Sequence, residues 1–278
     1  MDLLNALAAL ANFVFIPALA YGSQLALGAL GVTLIYGILR FSNFAHGDTM
    51  AFGTAVTILV TWYLQSMGVS IHPLPTALLA LPVGIAVTIA LLLGTDRVVY
   101  RFYRRQRAAP VILVIVSMGV MFIMNGITRF LIGVEEISFD DGERFLMTAR
   151  QFRDMTGLTE GVVIRSSQAL TLVTAVVTVG VLFWFLYRTR TGKSMRAFSD
   201  NEDLALLSGI NPERVVIVTW AITAVLATIA GVLYGLDKSF KAFTIFSFCF
   251  RSSPLLWSAG SVIRWEPSQA ASSSRSRR

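Results

Sequence analysis

The sequence predicts an all-α polytopic membrane protein: a helix bundle of about six transmembrane spans, one short cytoplasmic helix and a disordered C-terminal tail. Three observations predict it. Of the 278 residues, 55% are hydrophobic and only 14% charged, where soluble domains carry about 25% charged residues; the mean hydropathy is +0.68. The apolar residues gather in runs of about 20, the length that crosses about 30 Å of hydrocarbon. The connections between runs differ in charge, some all-basic and one mixed, as in chains that cross a membrane repeatedly.

The spans follow in order. Phe13 to Leu39 is the first, rich in glycine and containing Pro17, and it ends at Arg40. FSNFAHGD (Phe41 to Asp48) precedes a second apolar stretch, Thr49 to Tyr63, and Gln65 to Pro75 forms a turn. Phe13–Tyr63 can be divided differently if a helix breaks inside the bilayer. Thr76 to Val99 spans next, and Arg97, Arg101, Arg104, Arg105 and Arg107 form the densest basic cluster. Pro110 to Ile132 spans again. Gly133 to Ser167 is the one long polar connection, with seven acids against four bases. Gln168 to Leu186 and Val215 to Leu236 complete six. The positive-inside rule places both basic loops in the cytoplasm and Gly133–Ser167 outside, which puts FSNFAHGD toward the inside and the N-terminus outside.

Net charge is +7 with pI about 10.0, but the residues from Lys241 onward carry +5 of it. The near-neutral remainder, with its arginines beside spans, argues against a nucleic-acid partner. Met1 to Leu10 contains Asp2 and no Lys or Arg, so no cleavable signal is expected and the first span serves for membrane targeting. A membrane domain over 1–241 is expected, followed by an atypical tail over 242–278 that ends in low-complexity Ser/Arg.

Arg188 to Pro212 is the most informative connection. It opens basic, with Arg188, Arg190, Lys193 and Arg196, and turns acidic at Asp200, Glu202 and Asp203. Ser199 and Glu202 have the spacing of a capping box. Leu204, Ala205, Leu206 and Leu207 follow, Gly209 stands where a helix C′ glycine would stand, and Asn211–Pro212 reads as the start of the next helix. A short capped helix presented in water suits docking to a soluble partner; the plainer reading is a solvated linker.

Asn43, His46 and Asp48 admit two readings as well. A broken helix there would line a polar pathway, since ionisable groups at membrane depth are costly and usually functional. Alternatively the stretch is a loop at the water interface with Asp48 as N-cap of the Thr49 helix; spacing alone favours this second reading. No catalytic set can be assembled. Neither histidine has a nucleophile beside it, Cys249 is the only cysteine, and the phosphate-binding, zinc-protease and serine-hydrolase motifs are absent. No catalysis, metal or cofactor is expected. Asn125 and Thr128 read as helix–helix polar contacts and Arg129 as snorkelling.

Gly31 to Thr54 (GVTLIYGILRFSNFAHGDTMAFGT) and Arg190 to Val215 (RTGKSMRAFSDNEDLALLSGINPERV), in this order, closely resemble the permease subunits of bacterial branched-chain amino-acid ABC importers, in particular the first of their two permeases. The matching positions are Ser42 to Asp48, then Arg190, Thr191, Arg196, Ala197, Asp200, Ala205, Leu207, Gly209 and Ile210. The resemblance implies a multi-pass subunit of the bacterial inner membrane, working with a second permease, cytosolic ABC ATPases and a periplasmic substrate-binding protein. It implies that Glu202–Gly209 is the coupling helix, with Arg196, Ser199 and Asp200 beside it. The cargo it implies is leucine, isoleucine or valine, or similar amino acids; nothing in the sequence itself fixes the cargo, and urea, short amides, other amino acids or a sugar are the alternatives within the class. A proton-coupled secondary transporter using His46 and Asp48 remains the alternative outside the class. The resemblance covers residues from about 15 to about 240. The Ser/Arg-rich remainder after Lys241 looks like an out-of-frame translation, which would leave the permease domain truncated.

Overall fold

The computed structural model describes residues 2–69, 75–137, 139, 145–156 and 161–241. The tail expected to be disordered, 242–278, and His72 lie outside them. The described residues form a helical bundle. Its first rod joins α1 (Asp2–Leu10), a π-helical turn over Ala11–Phe15 and α2 (Ile16–Leu39). Pro17 at the start of α2 lacks an N–H for the helical ladder, and the wide turn immediately before it takes up the break. α3 (His46–Ser66), α4 (Ala77–Thr95), a second π-helical turn over Asp96–Tyr100, α5 (Arg101–Arg105) and α6 (Pro110–Ile132) follow. Beyond α6, α7 (Ala149–Thr156) lies between two short strands, β1 (Phe145–Met147) and β2 (Ile164–Arg165), which pair antiparallel with Phe145 opposite Arg165. The chain returns through α8 (Ser166–Arg188), turns at Thr189 into α9 (Arg190–Asp200) and α10 (Glu202–Leu207), and crosses again as α11 (Pro212–Asp237).

Five helical stretches among the described residues are long and apolar enough to cross a membrane: Asn5–Leu39, Ala77–Arg105, Pro110–Ile132, Ser166–Arg188 and Pro212–Asp237. α3 is the sixth expected span. It begins with His46 and Asp48 and carries several threonines, so apolarity does not mark it, and it compensates by being buried inside the bundle. α11 and α3 form the centre, with α2, α4, α6 and α8 around them. The outer helices turn residues such as Phe122, Phe130 and Val176 outward, where hydrocarbon takes the place of a partner.

The centre is packed by interlocking glycines and threonines. A Cβ on Gly84 would lie 2.1 Å from Thr57 Oγ1, and one on Gly231 would lie 2.3 Å from Thr54 Oγ1 and 2.8 Å from the Met50 carbonyl oxygen. Backbones can approach this closely only where no side chain intervenes. The threonines are not left with bare hydroxyls: Thr54, Thr57, Thr88 and Thr228 each donate to the carbonyl one turn earlier, at 2.8 Å.

Side-chain ties mark the two ends. At one, Ile137 pairs with Phe240, the Ser239 hydroxyl meets Glu136, and the Asn12 side chain accepts from the Val163 amide. At the other lie Arg40, the Arg97–Arg107 cluster, α9 and α10. The two basic loops share one end, as charge distribution predicts.

Candidate functional site

The helical pair α9–α10 is built at its corners. Thr189 is extended at the end of α8, and its hydroxyl accepts from the Gly192 amide at 3.0 Å. Gly192 is obligatory for the turn, since a Cβ there would fall 2.3 Å from the Phe185 carbonyl oxygen. Met195 and Phe198 on α9 then bury themselves against Ile38, Ala205 and Val215.

The capping box is corrected by the structure. Ser199 lies in the last turn of α9, and its hydroxyl donates to the Gly37 carbonyl at 2.9 Å. The N-cap of α10 is Asn201, extended at φ −152°, whose side-chain oxygen accepts from the Leu204 amide at 3.1 Å. Glu202 and Asp203 consequently occupy the first turn, where the helix dipole favours carboxylates. The reason is that α9 continues helical past Ser199, so the basic stretch that opens this connection is itself an eleven-residue helix.

The other end of α10 is as expected. Gly209 has φ +80°, its amide donates to Leu206 and that of Ile210 to Ala205, both within 3.1 Å. This is the double hydrogen bond of a left-handed C-terminal cap. Asn211 caps α11 through the Glu213 amide at 3.0 Å. Between its caps α10 turns Ala205 inward, 3% exposed, and leaves Leu204, Leu206 and Leu207 at 62%, 43% and 85% exposure. Arg196 and Asp200 are exposed beside it; the Arg196 guanidinium lies 4.5 Å over the Tyr187 ring. Below α10 opens a cavity of about 650 Å³, lined by Arg40, Arg101, Arg104, Arg105, Glu202 and Leu206 among others.

Charge ties α9 and the start of α11 to the rest of the bundle. Arg40 ends α2 in the left-handed conformation, φ 58°, and its guanidinium bonds the Ser199 carbonyl. Arg101 grips both Glu213 oxygens at 2.6 and 2.7 Å, joining α5 to α11. Deeper in, Asp96 is held by Arg104 and by the Trp220 indole N–H at 2.7 Å. Tyr100 stacks on Trp220 with centroids 5.2 Å apart and lies against Phe41. Its hydroxyl donates to the Asn43 side-chain oxygen at 3.1 Å. Asp96, Tyr100 and Trp220 were not singled out in the sequence; a lone acid at the inner edge of a span is the signal that could have found the first.

The FSNFAHGD segment is buried, and the interface-loop reading of it fails. α3 starts at His46 rather than Thr49, Asp48 caps nothing, and it is 1% exposed. Its Oδ1 instead accepts from Asn125 on α6 at 2.8 Å, while its Oδ2 has no hydrogen-bond partner. Asn43 folds the turn, accepting from the Ala45 amide at 3.1 Å. The His46 ring lies against Gly31, where a Cβ would come within 2.6 Å of it. Neither ring nitrogen completes a hydrogen bond among the described residues, although the Gly28 backbone lies beside them. Gln24 and Thr223 also carry buried oxygens without partners. The interior thus holds a group of polar side chains whose bonding capacity exceeds what the described residues satisfy.

The family described as branched-chain amino acid transport system, permease component, matches residues 14–259. This chain belongs to that family. The match runs beyond Lys241, where the sequence reading ended the resemblance. The chain is 32% identical over 222 residues to the high-affinity branched-chain amino acid transport system permease protein BraD of Pseudomonas aeruginosa, covering 79% of this chain and 69% of the relative. It is 30% identical over 222 residues to LivH of Escherichia coli K12, a permease protein of the same description, covering 77% and 67%. A probable branched-chain amino acid transport permease of Methanocaldococcus jannaschii shares 28% over 215 residues, 77% of this chain and 63% of the relative. No solved structure matches the chain. As a permease of this family it is a multi-pass membrane protein, and both stretches that carried the resemblance, 31–54 and 190–215, lie at the sites just described.

Proposed function

We propose that this permease is the membrane subunit of an ATP-driven importer that passes branched-chain or similar amino acids across the bacterial inner membrane. A second permease subunit completes the channel, cytosolic ABC ATPases drive it, and a periplasmic substrate-binding protein delivers the cargo. The cargo is taken from what the relatives' names state of those proteins.

One observation carries the reading. α10 is capped at both ends, anchored by Ala205, and presents three leucines to water. Exposed leucines on a rigid, doubly capped helix cost solvation unless another surface covers them. An ATPase groove is the occupant the family implies. Movement of α10 would reach the interior by two routes: Ser199 to Gly37 and Arg40 at the end of α2, and Glu213 to Arg101 at the start of α11. The polar group of Asn43, His46 and Asp48 then lies along the path that opens, with its unpaired atoms available to water or solute.

The test is co-purification of the ATPases with the membrane-inserted permease. Leu207→Asp is expected to abolish it while leaving membrane insertion and thermal stability unchanged, because Leu207 touches little of its own chain. Undiminished co-purification of Leu207→Asp would overturn the docking assignment. Uptake that survives loss of the ATPases and collapses with the proton gradient would instead select secondary transport.

A further inference from the structure

At the inner end of α4 the π-helical turn creates a second pocket, about 320 Å³, which shares Arg101, Arg104 and Glu213 with the cavity below α10. Its lining divides by character. Leu93, Gly94 and Ile217 form an apolar side, and Arg97, Arg101 and Arg104 form a guanidinium side that also carries the carboxylates of Asp96 and Glu213. A Cβ on Gly94 would meet nothing within 4 Å, so the apolar side is an open slot. Val98 and Phe102 beside it are 79% and 56% exposed, which places this stretch against lipid and not against another part of the chain.

The charges are unequally matched. Arg104 is neutralised by Asp96 and Arg101 by Glu213. Arg97 has no partner among the described residues. An arginine without a counter-ion, at the junction of an apolar slot and two further guanidiniums, calls for a ligand with an anionic head and an apolar tail. Basic pockets between transmembrane helices on the cytoplasmic side have this chemistry for phospholipid headgroups.

We propose that the pocket binds one anionic phospholipid of the cytoplasmic leaflet, its phosphate on Arg97 beside Arg101 and Arg104 and an acyl chain along Leu93, Gly94 and Ile217. Bound there, the lipid bridges α4 to the start of α11 at the level of the Arg101–Glu213 pair. The inference rests on the chain being membrane-embedded and is independent of what it transports.

The experiment titrates the full chain, purified in a neutral maltoside detergent, with phosphatidylglycerol and counts retained lipid by native mass spectrometry. One tightly held phosphatidylglycerol is expected, and phosphatidylcholine should not replace it. Arg97→Gln should weaken retention about fivefold, the worth of one arginine at a charged leaflet. Arg188→Gln, an exposed arginine outside the pocket, should leave it unchanged. The Arg97 side chain makes no ion pair or hydrogen bond among the described residues, so its replacement is expected to leave the fold intact; equal melting of both variants without lipid checks this. Equal retention by the two variants, or equal binding of phosphatidylcholine, overturns the proposal. Release of the lipid by millimolar inorganic phosphate overturns it too, reassigning the arginines to a soluble anion.

Discussion

Replacing Trp220 by Phe removes one atom group that matters, the indole N–H, and leaves a ring to stack on Tyr100. The bond lost is 2.7 Å long, buried, and accepted by a carboxylate. Hydrogen bonds to charged groups contribute about 1.5–3 kcal/mol in soluble proteins, whereas polar contacts between helices in lipid average about 0.6 and reach about 1.7. Asp96 keeps Arg104 after the change, so its charge is not orphaned, and a loss of about 1.5 kcal/mol is expected. For a chain of this size that corresponds to a drop of about 3–6 °C in melting temperature. The assay is loss of the monodisperse peak in detergent on heating, with all variants compared at one scan rate, since the midpoint depends on scan rate wherever unfolded chains aggregate before they refold. Trp220→Leu, which also removes the stacking, should lose about 0.5–1.5 kcal/mol more. If Trp220→Phe melts with the wild type, the indole–carboxylate bond contributes nothing. If it melts with Trp220→Leu, the contribution is packing and the account of Asp96 is wrong.

Other expectations follow from single contacts. Gly84→Ala should destabilise by about 1–3 kcal/mol through overlap with Thr57 Oγ1, and adding Thr57→Ala should recover most of the loss in the same melting assay. Asn201→Ala should cost the α10 N-cap about 1 kcal/mol and speed hydrogen exchange at the Leu204 amide, while Ser199→Ala should not; the reverse order would restore the capping-box reading. Asn125→Ala deprives the buried Asp48 of its only side-chain donor among the described residues and is expected to reduce uptake by reconstituted importer more than Thr128→Ala does; equal uptake would separate Asp48 from the pathway.

Much of the architecture was legible from local properties. Run length located the spans, and Gly209, Asn211 and Pro212 marked their turns because caps depend on residues within one helical turn. α3 was readable only as a short apolar stretch, since a helix screened from lipid is free of the demand for apolarity that makes spans visible. The capping error has a similar origin. Ser199 and Asn201 are both good caps, and the choice between them was made by Gly37 and Arg40, some 160 residues earlier in the chain.

Taken alone, the sequence determined that this chain crosses a membrane about six times, which end is basic, and that a short leucine-bearing helix interrupts the last two spans. These are consequences of hydrocarbon thickness, charge placement and backbone capping, all sensed within a few residues. Only the tertiary structure decided which polar side chains meet: Asp96 with Trp220, Tyr100 with Asn43, and Asp48 with Asn125. Each pair joins residues far apart in the chain. A buried donor finds its acceptor through helix packing, and periodicity within one helix carries no record of which neighbour will face it.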